Sequence, residues 1–147
     1  MQSVAWILLA PALALVVVTH WQLRALRPSF LATQFAWSRA GFDGIVARWS
    51  ARQRAAYRLW QRADFVTLAC YGAFGWLWAG AAGHAPWLVG MLPAAAMADA
   101  LENVLHLRFT RPGAAPAPDA LHRAAGFASA LKFMLIAAFV AGAALSR

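Results

Sequence analysis

The sequence predicts an all-α protein: a four-transmembrane-helix bundle with a long, amphipathic, helical cytoplasmic loop between its first and second helices. Three observations lead there. Of 147 residues, 63% are hydrophobic and 12% charged, a charged share about half that of a soluble domain. The apolar residues gather in runs near 4–21, 64–81, 86–108 and 120–145, close to the roughly 20 residues that cross a bilayer core. The arginines gather between the first and second runs and between the third and fourth, with none between the second and third.

These totals fit a single integral membrane domain spanning 1–147. The net charge is +8, from 13 Lys and Arg against 5 Asp and Glu. A basic chain invites a nucleic-acid partner. Here the charge lies in loops between spans, where it stays cytoplasmic and favours anionic lipid, so no nucleic-acid partner is expected. Cys70 stands alone and cannot close an intramolecular disulfide. Arg outnumbers Lys twelve to one, a usage associated with GC-rich coding and hence with a bacterial inner (plasma) membrane.

The first run, ending near Trp21, has no Lys or Arg before Arg24. It lacks the basic start of a signal peptide and reads as a span, with Trp6 and Trp21 as interfacial anchors. The connection that follows interleaves eight arginines, from Arg24 to Arg62, with Phe30, Phe35, Trp37, Phe42, Trp49, Tyr57 and Trp60. Beside a span, that pattern predicts an amphipathic segment over 28–63 lying in the headgroup layer as a lid. Gly41-Phe42-Asp43-Gly44 reads as a turn between two helical pieces. Ser50-Ala-Arg-Gln53 matches a capping box, so a helix starts there and runs into the second span.

The second span covers 64–81, with Gly72, Gly75 and Ala79 as a face for close packing. An uncharged hairpin through Pro86 leads to the third span over 86–108. Arg111-Pro-Gly-Ala-Ala-Pro-Ala-Pro118 should be extended, and Asp119 should cap the fourth span over 120–145. With both basic loops cytoplasmic, both termini face outward, although Arg147 votes mildly the other way.

The residues that carry chemistry centre on Asp99, Glu102, Asn103 and His106. At i, i+3, i+4 and i+7 they share an arc of roughly 100° on one helix face. Polar groups inside a span mark a bundle interior or a water-filled cavity. At about 1.5 Å per residue from the cytoplasmic end, Glu102 lies about 9 Å deep, Asp99 about 13 Å and Lys132 about 16 Å. Asp64 and Tyr71, seven residues apart, share a face of the second span, while Ser129 and His122 precede Lys132 on the fourth. Lys132 is the only lysine, and mid-span it needs a partner, which Asp99 and Glu102 supply.

The binding cluster predicted is therefore Asp64, Tyr71, Asp99, Glu102, Asn103, His106, His122, Ser129 and Lys132. Asp99, Glu102 and His106 are the catalytic candidates if the site does acid–base work, since carboxyl groups one turn apart can titrate as a pair. Glu102, His106 and His122 with Asp99 would be the donors to a metal, but Glu102 and His106 lack the Glu-x-x-His spacing of di-iron bundles. His20, His106 and His122 would be the ligands to a haem, yet a histidine at a helix end more often marks the interface. Neither a metal nor a cofactor is expected.

The first expectation for function is a non-enzymatic accessory or structural component, a homo-oligomer or partner of another membrane subunit, whose polar cluster sets helix register. The second is a protein that binds or modifies a lipid headgroup. The third is a small proton-linked carrier.

Overall fold

The computed structural model describes residues 2–145 and is all-helical, in six helices with no strand among those residues. In chain order these are α1 (Gln2–Leu23), α2 (Leu31–Gln34), α3 (Arg39–Val46), α4 (Ala51–Ala81), α5 (Pro86–Phe109) and α6 (Asp119–Leu145). Three segments are long and apolar enough to cross a membrane: Ala5–Leu23, Pro86–Phe109 and Asp119–Leu145. Trp6 and Trp21, the expected anchors, are both exposed. Arg147 lies outside the described residues.

α4 differs from these three because its halves differ. Its first half carries Arg52, Arg54, Arg58 and Arg62, whereas its second half is apolar and rich in Gly and Ala. Its start follows the capping box: Ser50 N donates to Gln53 Oε1 at 2.8 Å, and Gln53 N donates to Ser50 Oγ at 3.2 Å. From there the helix runs unbroken for 31 residues.

α1 packs along α4, α4 along α5, and α5 along α6. α1 and α6 make no comparably extended contact. α4 and α5 approach closely because α4 is small where they cross. A Cβ added at Gly75 would overlap the Leu92 side chain, and one added at Gly72 would lie 3.1 Å from Ala96 Cβ. At the hairpin end, Ala5, Phe74, Ala79, Leu88, Leu92 and Phe139 form a dry apolar core. At the other end the core is aromatic and mixed, with Leu23, Leu26, Trp49 and Tyr57 buried together.

The 28–63 connection packs partly against the helices that follow it. Phe42, Trp49 and Tyr57 are almost fully buried in the protein, while Phe35 and Trp37 remain exposed. The aromatics divide because the connection folds back over the bundle. Phe35 stacks on Phe133 of α6 at 6.0 Å, and Trp37 meets Phe127 edge-on at 4.8 Å, seated over Gly126. Gly41-Phe42-Asp43-Gly44 is not a turn but the middle of α3. Ser38 Oγ caps that helix by accepting from Gly41 N at 3.1 Å. Phe42 then anchors it among His106, Phe109 and His122. Burying a phenyl ring is worth about 1.5–3 kcal/mol, enough to offset the helix cost of two glycines, about 2 kcal/mol. Asp119 begins α6 as expected, but its carboxylate accepts from Arg39 N of α3 at 2.8 Å, tying the two helix starts together.

Candidate functional site

Three long helices contribute to one polar cluster, and each places its residues by helical spacing. On α5, Asp99, Glu102, Asn103 and His106 are all buried on the face turned to α4 and α6. On α6, Ser129 and Lys132 are buried three residues apart. On α4, Tyr57, Asp64 and Tyr71 recur at seven-residue intervals, which keeps them on one side of the helix.

Lys132 is the hub. Its Nζ donates to Asp99 Oδ1 at 2.9 Å and to Glu102 Oε2 at 2.7 Å. Short charge-assisted bonds of this kind are what a buried ammonium requires. The other Asp99 oxygen, Oδ2, accepts from the Tyr71 hydroxyl at 3.2 Å. Asn103 Nδ2 donates to Asp64 Oδ2 at 2.8 Å, which locks α5 to α4 beside the ion pairs.

A second, uncharged network adjoins the first. Tyr57 OH lies 3.0 Å from His106 Nδ1 and 3.0 Å from Thr33 Oγ1, and it accepts from Gln61 Nε2 at 2.9 Å. Gln61 Nε2 is also 3.1 Å from His106 Nδ1. The Thr33 hydroxyl donates to Phe30 O at 2.6 Å, so α2 is held to the bundle through this chain. Burial holds the Tyr57 phenol neutral, well above its ordinary pKa. The two networks meet where His106 Nδ1 stands 3.8 Å from Glu102 Oε1, too far for a hydrogen bond.

All nine predicted residues lie in or beside these helices, but they do not form one set. Asp64, Tyr71, Asp99, Glu102, Asn103 and Lys132 converge directly. His106 belongs to the Tyr57 network. His122 stands apart, its ring stacked on Phe109 at 4.0 Å and its Nδ1 3.3 Å from Pro118 O. Ser129 is fully buried, and among the described residues neither its Oγ nor Glu102 Oε1 nor His122 Nε2 reaches a partner in good hydrogen-bond geometry. His20 is exposed, with Nδ1 3.2 Å from Val16 O. Among the described residues no three His, Cys, Asp or Glu side chains are arranged to hold a metal ion.

Thr33, Tyr57 and Gln61 complete the cluster without having been expected in it. Tyr57 and Gln61 are one turn apart, and Tyr57 keeps the seven-residue step to Asp64 and Tyr71. That periodicity was readable. The arginines around it carried the segment to the surface instead.

A cavity of about 240 Å3 opens onto this cluster. Asp64, Tyr71, Asp99 and Lys132 form its polar floor. Leu23 of α1 and Ile136 of α6 supply apolar walls, and Phe30 closes it toward α2. The rim residues Val16, Leu31 and Phe133 are exposed, so the cavity opens sideways between α1 and α6. Gln34 Oε1, also on the lining, is buried and has no hydrogen-bond partner among the described residues. No protein-family model, no curated protein and no solved structure matches this chain.

Proposed function

We propose that this protein is a non-enzymatic inner-membrane component that holds the head of a membrane amphiphile against its polar cluster. The observation that carries this reading is the sideways cavity, with a polar floor of Asp64, Tyr71, Asp99 and Lys132 under apolar walls from α1 and α6. A site of this form suits a molecule whose tail stays in lipid while its head exchanges water for fixed hydrogen-bonding groups. The two aspartates and the unpartnered Gln34 Oε1 are acceptors, which favours a head bearing hydroxyl or amine donors.

In this reading α4 is a fourth crossing. Its segment 64–81 lies packed between two helices long enough to span, and about 18 residues of helix reach about 27 Å. The arginine-bearing connections then face the cytoplasm, and both termini face outward. The apolar core at the hairpin end favours holding over carrying, because Phe74, Leu88, Leu92 and Phe139 leave no polar route through that half.

A purely structural role has its own support: both carboxylates bonded to Lys132 would fix helix register with nothing bound. Native mass spectrometry after gentle extraction separates the two. The amphiphile reading expects the unmodified protein to retain one amphiphile more than Ile136→Trp, which fills the cavity and leaves Lys132 paired. Equal retention by Ile136→Trp, or none by either protein, leaves only the structural role.

A further inference from the structure

Outside the polar cluster, the basic half of α4 and the end of α5 bring four arginines together. Arg58 and Arg62 are one turn apart on α4. Arg108 is in the last turn of α5, and Arg111 lies just beyond the helix end. All four line one recess of about 480 Å3, together with Leu107 and Pro112. Among the described residues no carboxylate lines it. Among the described residues none of the four forms an ion pair.

Two features make this more than a solvated basic face. Arg58 is half-buried and fixed, its Nη1 donating to Thr110 O at 3.2 Å, so one guanidinium is placed before any ligand arrives. Four like charges around one recess also repel each other unless an anion sits between them. Guanidinium forks match the oxygens of phosphate, and clustered forks bind it better than scattered ones.

The position of the recess selects among phosphates. It lies at the last turn of Pro86–Phe109, a helix long enough to cross a membrane, and so at the level of lipid headgroups. Leu107 and Pro112 add apolar surface beside the charges, which suits a glycerol backbone. We infer that Arg58, Arg62, Arg108 and Arg111 form a binding site for the phosphate of an anionic lipid. The site is separate from the cavity between α1 and α6.

Native mass spectrometry of the full chain in detergent tests it, with phosphatidylglycerol and phosphatidylcholine of matched acyl chains as probes. The unmodified protein is expected to prefer phosphatidylglycerol by roughly tenfold or more. Arg62→Gln/Arg111→Gln, which spares the Arg58 anchor, should cut that preference to about twofold or less. Arg48→Gln/Arg52→Gln removes the same charge outside the recess and should keep the preference. Equal binding of the two lipids by the unmodified protein overturns the site, as does equal loss in both double variants. Displacement of phosphatidylglycerol by millimolar inorganic phosphate would assign the recess to a soluble anion and overturn the lipid.

Discussion

Lys132 serves two carboxylates at once, and this decides what its removal does. Lys132→Met leaves Asp99 and Glu102 buried beside each other without a cation. Breaking a buried pair by removing one partner costs about 3–5 kcal/mol, so the midpoint of thermal unfolding in detergent should drop sharply. The triple variant Lys132→Met/Asp99→Leu/Glu102→Leu removes all three members of these ion pairs and should recover most of that loss, because a well-packed apolar replacement is often neutral. Tyr57 gives a pH-dependent counterpart. Burial raises its pKa in the folded state, so its contribution is complete below the ordinary tyrosine value near 10. Above that pH the unfolded chain loses the proton first and stability declines. Melting curves from pH 8 to pH 11 should show this alkaline fall, and Tyr57→Phe should make it shallower. At neutral pH Tyr57→Phe should cost about 1–3 kcal/mol, since Thr33, Gln61 and His106 all lose a partner.

At the scale of elements, α4 and α5 fit only while position 75 lacks a side chain. Gly75→Ala would drive a methyl into Leu92 and should cost about 1–3 kcal/mol. Adding Leu92→Ala should cost less than the sum of the two single changes, a coupling that a double-mutant cycle in unfolding measurements would read. This contact was legible in the Gly72, Gly75 and Ala79 spacing, as were the three helices long and apolar enough to cross a membrane and the pairing of Lys132 with Asp99 and Glu102. Those features follow from local periodicity and from the cost of an unpaired charge in lipid. The fate of the 28–63 connection was not legible. Whether Phe42, Trp49 and Tyr57 face headgroups or protein depends on how the chain doubles back onto α5 and α6, and no local pattern encodes that return. The α3 helix was hidden for the same reason, because its two glycines speak against a helix that Phe42 anchors from outside.

For the molecule as a whole, the proposed fourth crossing has a direct check. In a Cys70→Ala background, cysteines placed at Ala82 and Ala114 occupy the two loops on either side of α5. In right-side-out membrane vesicles an impermeant thiol reagent should label the Ala82→Cys protein at once and the Ala114→Cys protein only after lysis. If α4 stays on the cytoplasmic side, the pattern reverses. The helices follow one another like planks in a fence, since among the described residues α1 touches the rest chiefly through α4 and makes no extended contact with α6. The fence needs a last panel, and in the proposed membrane setting the surrounding fatty tails stand there. How tightly α1 is held, and how wide the slot beside it gapes, are therefore partly properties of the host membrane, so a switch to shorter tails should loosen α1 before any other helix.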